Sequence, residues 1–320
     1  MLDFKSKVRA YHLSSARDAD FCKRTNQLYF NCEASHRGVG TEKRALCIVA
    51  PAGSGKTTLV NYHLDRLPYF QSAIDKYGDE VSPILRVKLP PASTAKSAVL
   101  HMLKKLRVDE NYSKKPEPEL PDIVLGHMKA LGVKYLFLDE LQHGVRGTKE
   151  GFIKRMQDML KSLIDSDDWP LHAIFAGTED VLPLLQDDQI DRRTNVMRLR
   201  PLEARYAKFV DGLIREIIVN ACEMTYSFDP DDEVTERLMR AANYTMGTAI
   251  LLLQETCFDA FLAGSNEITI SHLQETYRTK TGCLKRDNIF EAANFKSIKP
   301  KNALADLLLR KEESEDADVY

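Results

Sequence analysis

The run Ala50-Pro51-Ala52-Gly53-Ser54-Gly55-Lys56-Thr57 constrains this 320-residue chain more than any other stretch of it. It matches a P-loop at every position but the first, where Ala50 stands in place of glycine. Ala45-Leu46-Cys47-Ile48-Val49 before it is short and apolar, as a buried strand is, and Thr58 to Leu64 after it continues at helical spacing. A strand feeding a glycine-rich turn that opens a helix aims backbone N–H groups and a helix N-terminus at a polyphosphate. On this reading Gly53, Ser54, Gly55, Lys56, Thr57 and Thr58 bind ATP. Lys56 reaches the β- and γ-phosphates and the Thr57 hydroxyl ligates Mg²⁺. The departure at Ala50 is mild, because Gly53 and Gly55 flank the closest approach to phosphate.

The length suits one large or two medium domains, with enough chain to bury a core without disulfides. Charge is balanced at a formal −2, so any nucleic-acid contact must come from a local patch. Six scattered cysteines form no Cys-x-x-Cys pair and no zinc spacing, and they read as small hydrophobes in a reducing compartment. The N-terminus lacks a signal-peptide apolar region. The most apolar stretch, 249–262, is interrupted by Gln254, Glu255 and Asp259 and cannot span a bilayer. The expectation is a cytoplasmic protein with no membrane contact.

From Ala45 onward, apolar strands alternate with amphipathic helical patterns, which predicts an α/β fold with a parallel sheet. Strands are expected over 45–49, 84–89, 134–138, 171–176 and 196–199, with helices over 95–106, 123–131 and 152–164. Ser93 or Thr94 is the N-cap of the first of these. After Pro201 the strand signal stops, and helices are expected over 203–224, 233–244, 248–262 and 270–279. The expected division is an N-terminal extension over 1–43, a nucleotide-binding domain over 44–201, an all-α lid over 202–283 and a flexible docking tail over 284–320.

The strand 134–138 delivers two carboxylates, Asp139 and Glu140, at its C-terminal end, the edge where open α/β sheets bind ligands. Asp139 can hold Mg²⁺ opposite Thr57, and Glu140 can orient or activate a water for in-line attack on the γ-phosphate. The strand 171–176 ends at Gly177-Thr178, where Thr178, or its neighbour Glu179, can sense the γ-phosphate; a plain turn capping the next helix is the alternative. Arg192 and Arg193, just before the last strand, are placed to act in trans as an arginine finger. Otherwise they pair with Asp187, Asp188 and Asp191.

In this order the motifs resemble the AAA+ superfamily, with a parallel sheet sandwiched by helices and a C-terminal helical lid. V-A-P-A-G-S-G-K-T-T, L-F-L-D-E-L-Q-H, I-F-A-G-T-E-D and the Asp/Arg segment before L-R-P-L are similar to the TniB/TnsC family over about 42–279. These are AAA+ regulators of transposition in transposons with a DDE transposase, CRISPR-associated ones included. The resemblance implies an ATPase that assembles as a ring or helical filament, hexamer- or heptamer-like, on double-stranded DNA. It also implies a transposase and a TniQ-like target-selection adaptor as partners. Many AAA+ lids supply a sensor-2 arginine at a helix start. Here Met246-Gly247-Thr248-Ala249-Ile250 has none, so Arg240 or no residue serves, and hydrolysis is expected to be slow.

The family's DNA-contacting regions correspond here to Lys96, Lys104, Lys105 and Arg107, and to Arg146, Lys149, Lys154 and Arg155. Such residues track phosphates without reading sequence. Lys96 and Lys149 are the favoured pair, and Thr94 can add a backbone contact. Other functions compatible with the motifs are an Orc-like or MuB-like DNA-loading ATPase and a STAND-type signalling NTPase that does not bind DNA. A small-molecule kinase fits poorly, since Asp139-Glu140 and the finger arginines suit hydrolysis.

Overall fold

The computed structural model describes residues 2–74, 78–108, 110–145 and 150–300. The chain divides into two compact units. Among the described residues, one comprises those of Ser14–Ala52 and Lys56–Arg200; the other comprises 2–13, Gly53–Gly55 and 201–300.

The first unit is built on a parallel sheet. In chain order its strands and the short hairpin beside it are β1 (Ala45–Val49), β2 (Ala73–Ile74), β3 (Glu80–Val81), β4 (Ile84–Lys88), β5 (Tyr135–Asp139), β6 (His172–Gly177) and β7 (Thr194–Arg198). The sheet order is β4-β5-β6-β1-β7, all parallel, while β2 and β3 pair antiparallel apart from it. Every residue of β1, β5 and β6 is buried, as expected of parallel strands covered on both faces. Alternate residues face opposite layers. Ala45, Cys47, Val49, Leu136 and Leu138 pack under the helices Ala95–Lys105, Leu120–Ala130 and Glu150–Ile164. Leu46, Ile48, Tyr135 and Phe137 pack under Ala16–Ser35 and the P-loop helix Lys56–Leu64. Because the strands run parallel, the ends of β1, β5 and β6 come out at one edge. There Val49 lies in register with Gly177, and Leu138 with Phe175.

The second unit is helical, built on Ala207–Arg215, Val234–Ala241, Met246–Leu262 and Ile270–Thr281, with a two-residue parallel pair of β8 (Thr225–Tyr226) and β9 (Glu267–Ile268). Among the described residues no helix is long and apolar enough to cross a membrane.

Several boundaries differ from the sequence expectation. The single helix expected over 203–224 is a 3₁₀ turn, an α-helix and a π segment ending at Ala221, with Glu223 at φ 56° just past its end. The stretch from 284 to 300 is no loose tail. Ile289, Phe290 and Phe295 are buried in the helical core, and Arg237 donates to the carbonyls of Ile289 (2.6 Å) and Ala292 (2.9 Å). An adjacent pair, Ile289-Phe290, followed by Phe295 five residues on, fits neither a helical nor a strand period, which hides them from a pattern reading. The remainder of the expected tail, 301–320, lies outside the described residues. The N-terminal 43 residues are likewise not one extension: Val8 joins the helical core, whereas Phe21, Leu28 and Cys32 join the sheet core.

His172, at the start of β6, is fully buried, its Nδ1–H donating to Pro170 O (3.0 Å). Burial pushes its imidazole down from 6.5 to about 4. The neutral ring is thus favoured in the folded state, so its stabilisation is whole above pH 6.5 and is lost as pH falls towards 4. Denaturant titrations across that window should show stability falling on the acid side, this residue accounting for up to about 3 kcal/mol. In His172→Gln the slope should be shallower; an unchanged slope would count against the assignment.

Candidate nucleotide-binding and hydrolysis site

The P-loop turns through Gly53 (φ 74°) and Gly55 (φ 86°), conformations that side-chain-bearing residues rarely adopt. The helix then starts at Lys56, whose ammonium is buried and donates to the carbonyls of Ala50 (3.0 Å) and Pro51 (3.1 Å) of its own loop. Desolvation lowers its pKa, against the opposing pull of the Glu140 and Asp139 carboxylates. Thr57 Oγ1 donates to Asp139 Oδ2 at 2.8 Å, joining the first turn of the P-loop helix to the last residue of β5. A hydroxyl and a buried carboxylate in contact are the hard oxygen ligands that Mg²⁺ takes, so these two residues fit the ion. Ser54 is buried, and Thr58 is exposed on the helix's first turn.

The Asp139 Oδ1 atom accepts the Glu140 N–H at 2.9 Å. Glu140 itself is left-handed (φ 58°, ψ 38°), a conformation costing a non-glycine residue about 1–3 kcal/mol, and such strain clusters at functional sites. A 3₁₀ turn, Leu141–Gly144, follows and fastens the glutamate to both neighbouring strands. The buried Gln142 donates through Nε2 to a Glu140 carboxylate oxygen and accepts the Thr178 N–H on Oε1 at 3.2 Å. His143 Nδ1–H donates to Leu89 O at 2.9 Å, just beyond β4. Gln142 does not stand out in a search for acids, bases and phosphate ligands, and His143, a base by type, has its Nδ1–H committed to a backbone carbonyl. The sequence signal for both is their place in L-F-L-D-E-L-Q-H, directly after Asp139-Glu140-Leu141.

Thr178 sits at the tip of β6, between β5 and β1 in the sheet, and is half-buried. It precedes a 3₁₀ turn, Glu179–Val181, without a side-chain cap bond, and its hydroxyl donates to Asp180 Oδ2 at 3.1 Å. Glu179 is exposed.

The two arginines before β7 differ. Arg193 is tied through its guanidinium to Asp165 and to Gln189 O (3.1 Å), with its side chain 15% exposed. Arg192 is exposed, its bond being to Asp188 O in its own helix (3.3 Å). The aspartates expected to pair with them bond elsewhere in part, Asp187 pairing with Lys161 at 2.8 Å. In the helical unit, Arg240 donates to Ile298 O at 2.8 Å. The Thr248 N–H at the start of Met246–Leu262 donates to Gly53 O at 2.9 Å.

The basic residues expected on DNA are spread out. Thr94 is the N-cap, its hydroxyl accepting the Ser97 N–H at 3.0 Å, and Lys96 donates to Lys115 O at 2.9 Å. Lys104, Lys105 and Arg107 are exposed at the far end of that helix. Lys154 lies near Asp158 (3.3 Å) and Asp187 (3.7 Å), and Arg155 is exposed. Arg146 and Lys149 lie outside the described residues.

A family model described as "Bacterial TniB protein" matches residues 31–204, more than half of the chain. No curated protein matches it. Among solved structures, Cdc6p from Pyrobaculum aerophilum is similar with a TM-score of 0.54 at 13% identity, covering 85% of this chain and 70% of that one. The ORC2 protein of Aeropyrum pernix, solved as ADPNP–ADP complexes, has a TM-score of 0.53 at 12% identity. That match covers 80% of this chain and 66% of that one, so this chain spans just under two thirds of the ORC2 protein. At these identities the likeness is one of fold, that of the AAA+ P-loop ATPases.

A Cβ at Gly177 would lie 2.3 Å from Val181 Cγ1 and 2.9 Å from Gln142 Oε1. Gly177→Ala should therefore lower stability by about 1–3 kcal/mol, read by urea denaturation. A neutral result would mean that the tip of β6 yields readily.

Proposed function

The chain belongs to the bacterial TniB family, and on that premise we propose that it is a cytoplasmic AAA+ ATPase that assembles on double-stranded DNA with ATP bound, linking target selection to transposase recruitment. The observation that carries the ATPase reading is the Thr57–Asp139 contact, with Lys56 and Glu140 beside it at one sheet edge.

Gly53–Thr58 would hold the ATP phosphates, with Lys56 exchanging its two carbonyl partners for phosphate oxygens. Thr57 and Asp139 would hold Mg²⁺, which would supply charge neutralisation at the phosphates. Glu140 orients a water in line with the γ-phosphate and takes its proton, while Thr178 meets the γ-phosphate oxygens. An arginine from a second copy completes the charge. Arg192 suits that role better than Arg193, because among the described residues its guanidinium has no carboxylate to leave, whereas Arg193 is tied to Asp165. Lys96, Lys104 and neighbouring basic residues contact the DNA backbone without reading sequence. The transposase and a TniQ-like adaptor are the protein partners in this reading.

Glu140→Gln should bind a fluorescent ATP analogue within about twofold of wild type and lose phosphate release by 100-fold or more, in line with the usual worth of a positioned general base. Equal turnover in the two proteins would remove Glu140 from the chemistry. Arg192→Ala should cost about 10³-fold in assembly-stimulated turnover and Arg193→Ala far less, and the reverse ranking would exchange their roles. Electron microscopy with duplex DNA and a non-hydrolysable ATP analogue should show rings or filaments. Nucleotide binding without DNA assembly would favour a STAND-type switch. Assembly that never stimulates a cognate transposase would favour an Orc-like or MuB-like loader.

A further inference from the structure

Gln142 has a place in the site that neither its position in the sequence nor its chemistry announces. It is neutral, it is only 3% exposed, and it lies two residues beyond Glu140 in the 3₁₀ turn. Its amide is used at both ends. A backbone N–H can only donate and a carboxylate only accept, so the partners fix which end is which. Oε1 takes the Thr178 N–H, and Nε2 gives a hydrogen bond to the Glu140 carboxylate. The bare Cα of Gly177 leaves room for that amide, since a Cβ there would crowd Oε1 to 2.9 Å. Glu140 is held in a left-handed backbone conformation at the same time, so the Gln142 amide acts on a carboxylate whose backbone is already in a strained, functional-site setting.

We propose that Gln142 is a positioning residue that couples the β6 tip to the catalytic glutamate: one buried amide holds the Thr178 backbone and the Glu140 carboxylate together. A displacement of Thr178 when the γ-phosphate arrives or leaves is passed through a single rigid amide plane to Glu140. The glutamate is therefore aimed at water only while the β6 tip is in its phosphate-bound place. In a buried setting the amide has no water to exchange partners with, which makes the coupling stiff. His143, bonded to Leu89 O, anchors the other side of the turn so that the motion is not dissipated in the backbone.

This inference rests on the ATPase reading above, and the two can fail separately. Three variants are compared in the full-length protein with DNA and ATP: Glu140→Gln, Gln142→Leu and Gln142→Glu. Gln142→Leu removes both hydrogen bonds at nearly constant volume. Gln142→Glu keeps an acceptor for the Thr178 N–H and places a second carboxylate against Glu140, so it remains informative if the leucine variant folds poorly. Both Gln142 variants are expected to lower kcat at saturating ATP at least tenfold while the Kd for a fluorescent ATP analogue stays within twofold. The double variant Glu140→Gln/Gln142→Glu should turn over no more slowly than Glu140→Gln alone, because Gln142 acts through Glu140. If Glu140→Gln loses turnover while both Gln142 variants keep it, the coupling is wrong and the ATPase reading stands. A parallel loss of ATP affinity and kcat in Gln142→Glu also overturns it, since that is the mark of a merely structural role. If Glu140→Gln itself keeps wild-type turnover, the ATPase assignment falls first.

Discussion

A single contact between a hydroxyl and a carboxylate, Thr57 to Asp139, fixes the geometry on which the rest of the site depends. It spans 82 positions of sequence and joins a helix on one side of the sheet to a strand in its middle. The contact exists because β6 alone separates β1 from β5, and because parallel strands bring all their exits to one edge. Burial of both sheet faces makes that edge rigid. Leu46 and Cys47, neighbours in sequence, anchor opposite layers, so β1 cannot rotate without exposing one of them. The flexible chemistry of loops is thereby mounted on a frame with little freedom of its own.

The charge arrangement follows from this frame. A buried ammonium and two carboxylates share a small volume, and each needs partners other than water. Lys56 finds carbonyls, Asp139 finds a hydroxyl and a backbone N–H, and Glu140 finds an amide. Among the described residues none of these partners is an ion-pair contact, although Lys56 feels the field of both carboxylates. Each group is thus held by a partner that a phosphate oxygen or a divalent cation can replace.

The parts of this arrangement that repeat a period or a motif could be read from the chain. Five strands of the sheet, the P-loop, the two carboxylates and the break after Pro201 all leave local marks: apolar runs, glycine spacing and a change of composition. What could not be read depends on tertiary pairing. Nothing in the sequence distinguishes Arg192 from Arg193, because their difference is the presence of Asp165 across a helix terminus. Gln142 stands within L-F-L-D-E-L-Q-H with no role of its own to read until β6 is placed beside it. The two-residue strands β2 and β3 are too short to carry an alternating pattern. Residues 284–300 misled for a related reason: they are polar between three buried apolar side chains, and their backbone carbonyls are satisfied partly by Arg237 instead of by regular structure.

The helical core draws on residues far apart in the chain, which has a consequence for the order in which the two units can close. The sheet unit has all its strands once Arg198 has been made, and it can close while the rest of the chain is still being translated. The helical unit includes Val8 and, more than 280 residues later in the chain, Phe290 and Phe295. Its core cannot be completed until almost the whole described chain has left the ribosome. Throughout that interval Val8 has no finished core to enter, so the apolar side chain waits exposed while the sheet unit can already be closed.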